Sequence, residues 1–143
     1  MLVVDACVAL KWHLKEELSE AAADLLLGPD ILIAPPNISD EIIEGLLRAS
    51  RQNRITLPES FQLMEDWGYI LSSAALRIYT LAELSASQFV NRAIQYSVTL
   101  KYSFYDCQYL ALADIQECSL ITADKQFYQR ATPHYDKIRL LGT

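Results

Sequence analysis

Four acidic residues occupy positions where their chemistry counts for more than their number. Asp5 closes the apolar run Leu2-Val3-Val4. Glu41 follows the run Ile31–Ala34 by way of Pro35-Pro36-Asn37. Asp106 stands near the start of a segment of helical period, and Asp124 comes just after Ser119–Thr122. Carboxylates gathered in one small volume raise one another's pKa and destabilise the chain that gathers them. A hard cation such as Mg²⁺ or Mn²⁺ removes that cost and prefers oxygen ligands. One or two such ions activate water and stabilise the leaving oxygen in phosphodiester cleavage, so the set suits phosphoryl chemistry without a nucleophilic side chain. Each acid also has a plainer use, because the exposed N–H groups and the dipole of a helix start favour a carboxylate. The joint pattern says more than any member of it.

The elements that must position these acids are legible. Short apolar runs alternate with longer segments of helical period, which is the pattern of an α/β domain with a parallel sheet. Strands are expected at Leu2–Asp5, Ile31–Ala34, Leu76–Thr80 and Ser119–Thr122, with a last edge strand at Lys137–Leu141. Helices are expected over Val8–His13, Glu16–Leu27, Ser39–Asn53, Pro58–Ser73, Glu83–Leu100, Tyr105–Gln116 and Asp124–Arg130. Gly28-Pro29-Asp30 is a stop-and-turn signal, and Ile42, Ile43, Leu46 and Leu47 recur at helical spacing. In an open parallel sheet every strand ends at one edge and the next helix begins there, so ligands collect along that edge. Topology alone would then carry all four acids to one rim.

Composition sets the limits. The chain has 143 residues, 52% hydrophobic and 21% charged, which suits one soluble globular domain spanning residues 1–143. The net charge of −6 argues against gripping nucleic acid with the whole surface. It leaves local grip open, since two divalent ions would bring −6 to −2 where a phosphate sits. Cys7, Cys107 and Cys118 form no C-x-x-C pair and no zinc spacing, as in reduced cytosolic proteins. No apolar run approaches the roughly 18 residues needed to span a membrane, and no signal peptide is visible; the cytoplasm is the expected location.

Several neighbours of the acids are candidates for supporting roles. Ser103 and Thr122 can orient carboxylates by hydrogen bonds, or serve only as an N-cap and a strand residue. Arg48, Arg51 and Lys125 are candidates to hold phosphate, against the plainer reading of exposed helical cations. Tyr105 and Tyr109 are one turn apart and read as packing residues before base-stacking ones. His13 and His134 have no partner spacing and read as structural. Cys7 and Cys107 read as small packing residues. A dinucleotide-binding domain would need G-x-G-x-x-G after the first strand, where the chain has Asp5-Ala6-Cys7-Val8. A haloacid-type phosphatase would want a second Asp where Cys7 stands, and a phospho-receiver would want an acidic pair at the first strand.

Four segments together resemble the PIN-domain family, in particular the VapC-type toxin ribonucleases: Leu2 through Trp12; Ala34-Pro35 through Glu41 to Leu46-Leu47-Arg48; Ser103-Phe104-Tyr105-Asp106-Cys107-Gln108-Tyr109-Leu110-Ala111-Leu112-Ala113; and Leu120 through Phe127. The third is the most specific, and the likeness runs in the family's order from residue 2 to about residue 130. The resemblance implies a Rossmann-like α/β/α sandwich around a parallel sheet of about five strands. It implies cleavage of single-stranded RNA with Mg²⁺ or Mn²⁺ held by Asp5, Glu41, Asp106 and Asp124. It also implies a homodimer and a small antitoxin partner. Two positions depart from the family pattern. Cys7 stands where relatives commonly carry a hydroxyl residue, and Glu44 where many carry Asn. Glu44 is one turn from Glu41, and a solvated Glu44 is favoured over one that joins the site. Two alternatives stay open: an RNA-processing PIN nuclease that is not a toxin, and a catalytically silent PIN module acting by partner binding.

Overall fold

A computed structural model describes residues 1–143. Five short strands, β1 (Leu2–Val4), β2 (Leu32–Ala34), β3 (Leu76–Ile78), β4 (Ser119–Thr122) and β5 (Ile138–Leu140), form one sheet in the order β3-β2-β1-β4-β5. Every neighbouring pair is parallel. The helices are α1 (Ala6–Ala9, continued by a 3-10 turn over Leu10–Trp12), α2 (Ser19–Leu27), α3 (Ile38–Arg51), α4 (Leu57–Ser72), α5 (Ala86–Leu100), α6 (Phe104–Ile115) and α7 (Lys125–Ala131). The architecture is the expected α/β three-layer sandwich with five parallel strands.

The sheet centre is apolar because it is covered on both faces. Val3 and Val4 of β1, Ile33 and Ala34 of β2 and Leu120 of β4 are all 0% exposed. A parallel sheet buried this way reads as a continuous hydrophobic run rather than an alternating one, and each fully buried Val, Ile or Leu contributes about 1.5–3 kcal/mol. The edge strand β3 shows the contrast, with Leu76 buried and Arg77 exposed. Among the helices α6 is the most enclosed, and every residue from Cys107 to Ala113 is buried. A helix apolar on all sides belongs inside, and this one carries Asp106 at its open end.

Most boundaries lie within three residues of expectation, and each shift has a local cause. The first helix begins at Ala6 because Asp5 itself is its N-cap and accepts from the Val8 N–H. α2 begins at Ser19, three residues late, because Leu18 sits at φ 65° and breaks the helical path. The α5 start slips to Ala86 because Thr80 and Glu83 exchange bonds in a turn of their own. A Cβ on Gly45 would meet Leu10 Cδ1 at 2.5 Å, so the end of the Leu10 side chain fills the space that a side chain at residue 45 would take.

Candidate active site

Each of the four acids is placed by an element that ends or begins at the C-terminal edge of the sheet. Asp5 directly follows β1, and Asp124 follows β4 after Ala123 and N-caps α7. Glu41 lies in the first turn of α3, which follows β2. Asp106 lies in the first turn of α6, capped by the Ser103 hydroxyl, which accepts from the Tyr105 and Asp106 N–H groups. They are near enough to feel one another's charge. Asp106 raises the pKa of both Asp5 and Glu41, Asp5 raises that of Glu41, and Asp124 raises that of Asp106.

Desolvation is nonetheless the main influence on three of them. Burial pushes Asp5, 4% exposed, up to about 6 against hydrogen bonds from Cys7, Thr122 and Val8 that pull it down. Burial pushes Glu41 up to about 7, opposed by Tyr109 and Asn37. Asp106 is also raised by burial, opposed by Ser103. A buried carboxyl resists ionisation because water no longer solvates its charge.

The partners of these acids are neutral. Cys7 Sγ donates to Asp5 Oδ1 at 2.7 Å, accepts from the Ala123 N–H at 3.1 Å and lies 3.6 Å from Thr122 Oγ1. Burial and the nearby Asp5 charge drive the Cys7 thiol far above the usual thiol range, so it stays protonated as a donor. Thr122, fully buried, accepts from the Asp124 N–H at 3.0 Å. Glu41 Oε2 accepts from Asn37 Nδ2 at 2.7 Å and from the Tyr109 hydroxyl. Asp124 Oδ1 accepts from the Phe127 N–H at 3.0 Å, and its Oδ2 from the Tyr102 hydroxyl. None of the four acids forms an ion pair; the five in the molecule involve Glu16 (twice), Glu44, Glu83 and Asp114.

The donor set suits a hard cation, being oxygen-only, mutually repelling and uncompensated. The side chains are parted as they stand. No three His, Cys, Asp or Glu groups converge closely enough to hold an ion, since Glu41 is turned onto Asn37 and Tyr109, and Asp124 onto Tyr102.

The other candidates divide. Ser103 and Thr122 both bond at the rim. Glu44 is exposed and paired with Arg51 at 2.5 Å, which also occupies that arginine. Arg48 is exposed, forms no ion pair, and lines two connected depressions, one holding Glu41 and Asp106 and the other Cys7 and Asp124. Lys125 is exposed at the start of α7.

Several contacts were not anticipated. Tyr109 is buried as a packing residue, yet its hydroxyl reaches Glu41; its position one turn after Asp106 was the available signal. Asn37, four residues before Glu41, carried the same kind of signal. Cys7 does more than pack, as its three contacts tie the ends of β1 and β4 together. Tyr102 had no sequence signal, being 22 residues from Asp124. His13 behaves as a structural residue, its ring edge-on to Trp67 and its pKa lowered by burial.

The model of the PIN domain matches residues 2–133. The chain belongs to the PIN-domain family. Among curated PIN relatives, the VapC ribonuclease Mb0985 of Mycobacterium bovis is 29% identical over 124 residues, covering 87% of this chain and 86% of the relative. Ribonuclease VapC9 of Mycobacterium tuberculosis matches with the same identity and coverage. The PIN fold also superposes on solved structures. One is a toxin–antitoxin complex from Klebsiella pneumoniae, with TM-score 0.65, 14% identity and coverage of 97% and 96%. Another is Mycobacterium tuberculosis VapC20, described as a sarcin–ricin loop cleaving toxin, with TM-score 0.67, 14% identity and coverage of 97% and 99%.

Proposed function

We propose that this PIN-domain chain is a metal-dependent endoribonuclease, the toxin half of a toxin–antitoxin pair, which hydrolyses phosphodiester bonds of single-stranded RNA. The observation that carries the reading is the uncompensated acid rim. Four carboxylates from four separate elements share one sheet edge, held by neutral donors and paired with no cation. The relatives named as VapC ribonucleases support the substrate class, and the toxin–antitoxin complex among the structural neighbours supports an antitoxin as partner. A homodimer acting in the cytoplasm belongs to the same reading.

Asp5, Glu41, Asp106 and Asp124 would hold Mg²⁺ or Mn²⁺, with Thr122, Ser103 and Cys7 orienting them. When bound, such an ion supplies a Lewis acid for the phosphoryl oxygens and makes water a competent nucleophile. Arg48 contributes the positive charge that the acids lack, where it can take a phosphate oxygen beside Asp106 and Glu41. Tyr109 and Asn37 hold the Glu41 carboxylate, and Tyr102 holds Asp124.

The test is a cleavage assay on a pool of single-stranded RNA, with and without Mn²⁺. Cleavage is expected only with the ion, and Asp5→Asn or Asp106→Asn should reduce it on the order of 100-fold or more while the chain stays folded. Wild-type cleavage by Asp5→Asn removes the assignment. The silent, partner-binding module is the second reading, favoured by the parted side chains. It gains if calorimetry shows no uptake of Mg²⁺ or Mn²⁺ even with RNA present.

A further inference from the structure

On the other side of Asp106 from Arg48 lies a groove of about 600 Å³ whose charged lining residues are Lys101, Arg130 and Asp106. The groove is shallow, open and polar, the form of a surface that tracks a nucleic-acid backbone rather than one that encloses a small ligand. Asp106 lines both this groove and the depression that holds Arg48, so the two meet at the acid rim. We propose that Lys101 and Arg130 form a second phosphate subsite, holding the RNA backbone on the far side of Asp106 from Arg48. The proposal rests on the ribonuclease reading and adds the path that the strand takes across the rim.

The plainer role for two cations here is to complement the C-terminus of α5, where carbonyls are left without partners. Arg130 does this in part. Its Nη1 donates to Lys101 O at 2.7 Å and to Leu100 O at 3.3 Å. A guanidinium carries five N–H donors, so those on Nη2 and Nε remain. Capping leaves Lys101 unexplained. It is exposed, makes no side-chain hydrogen bond or ion pair, and is held at φ 50° at the α5–α6 junction. Neither cation is neutralised by a carboxylate. In a chain of net charge −6, a polyanion is drawn only to such local excesses of positive charge.

The groove also says which part of the strand it takes. Its one aromatic residue, Tyr102, stacks on Phe127, lies under the Arg130 guanidinium at 5.6 Å and spends its hydroxyl on Asp124. A ring so engaged is a poor platform for a base. The remaining donors suit phosphate, so the contact should be indifferent to sequence.

The experiment measures binding of a fluorescent single-stranded RNA by anisotropy at several salt concentrations, in the full chain carrying Asp5→Asn to prevent cleavage. Lys101→Asn removes the charge with a residue that tolerates positive φ. Affinity should fall about 3- to 10-fold, and the slope of log K against log salt should become shallower by about 0.7, one phosphate contact on a single strand. Gln126→Glu, at an exposed helical position on the groove wall, should weaken binding at least as much without touching the α5–α6 junction. Unchanged affinity and slope in both variants, with Arg48→Gln impaired, overturns the subsite and leaves the ribonuclease reading standing. A wild-type chain that neither binds nor cleaves RNA overturns both.

Discussion

Asp114 and the rim acids meet burial in opposite ways. Asp114, at the far end of α6 from Asp106, accepts from the Arg92 guanidinium and, at 2.8 Å, from the Tyr96 hydroxyl. Its charge is balanced, and the pairing raises the Arg92 pKa. The rim acids are ringed instead by a thiol, two phenols, hydroxyls and an amide, none of which cancels a charge. One end of α6 thus uses a carboxylate to fasten α5 to α6. At the other end the fold holds carboxylates in place and leaves their charge for something else. Burying an unpaired charge is costly, so the difference should appear in stability, in its pH dependence and in its response to cations.

The largest effect should come from the rim. Asp5 and Glu41 have folded pKa values of about 6 and 7, above their unfolded values of 3.8 and 4.5. Between those limits the folded state holds protons that the unfolded state has released. Their contribution is therefore fully present at low pH and is lost as pH rises through about 6 to 7. For Asp5 alone the change is about 3 kcal/mol at most. In chelator, urea midpoints should fall between about pH 5 and pH 8. Mn²⁺ at about 100 times its dissociation constant should return about 2.7 kcal/mol at the higher pH. Asp5→Asn should flatten the pH profile and raise the midpoint at the higher pH while abolishing cleavage. A metal-free protein that gains stability steadily over this range contradicts the contrast.

The same contrast explains what could be read from the residues in order. The sheet was legible because β1, β2 and β4 are buried on both faces and so appear as unbroken apolar runs. The placement of the acids was legible because a parallel sheet delivers every strand end to one edge. What hid was the set of neutral partners. Tyr102 reaches Asp124, and Cys7 reaches Ala123, across 22 and 116 residues of sequence; no local periodicity encodes such contacts. Tyr109 packs in the core as its place on an apolar helix implies, but the bond from its terminal hydroxyl to Glu41 leaves no mark on that pattern.

Asp114→Asn should have a smaller effect, of a different kind. The Arg92–Asp114 pair is partly exposed, with side chains 37% and 25% accessible, so solvent screens it and the loss should be about 1 kcal/mol, the Tyr96 bond included. The urea midpoint should drop across the same range of about pH 5 to pH 8, with the Mn²⁺ increment and the cleavage rate unchanged. If the variant instead loses its Mn²⁺ response, the two ends of α6 are coupled and the division between them fails.

The smallest effect should come from Cys7→Ser. The side chain at residue 7 must donate to Asp5 Oδ1 and accept from the Ala123 N–H, and a serine hydroxyl can do both. Cleavage should stay within about threefold, equivalent to less than about 1 kcal/mol, and the pH profile of stability should keep its shape. Cys7→Ala removes both bonds and should destabilise by about 1 kcal/mol, with a larger fall in cleavage because Asp5 Oδ1 is left with the Val8 N–H but without the thiol. The order alanine below serine, and serine near cysteine, is what a positioning residue gives. A serine variant as inactive as Asp5→Asn would mean that the sulfur itself takes part in the reaction. The thiol's strongly raised pKa argues against that, because the nucleophilic form is the thiolate.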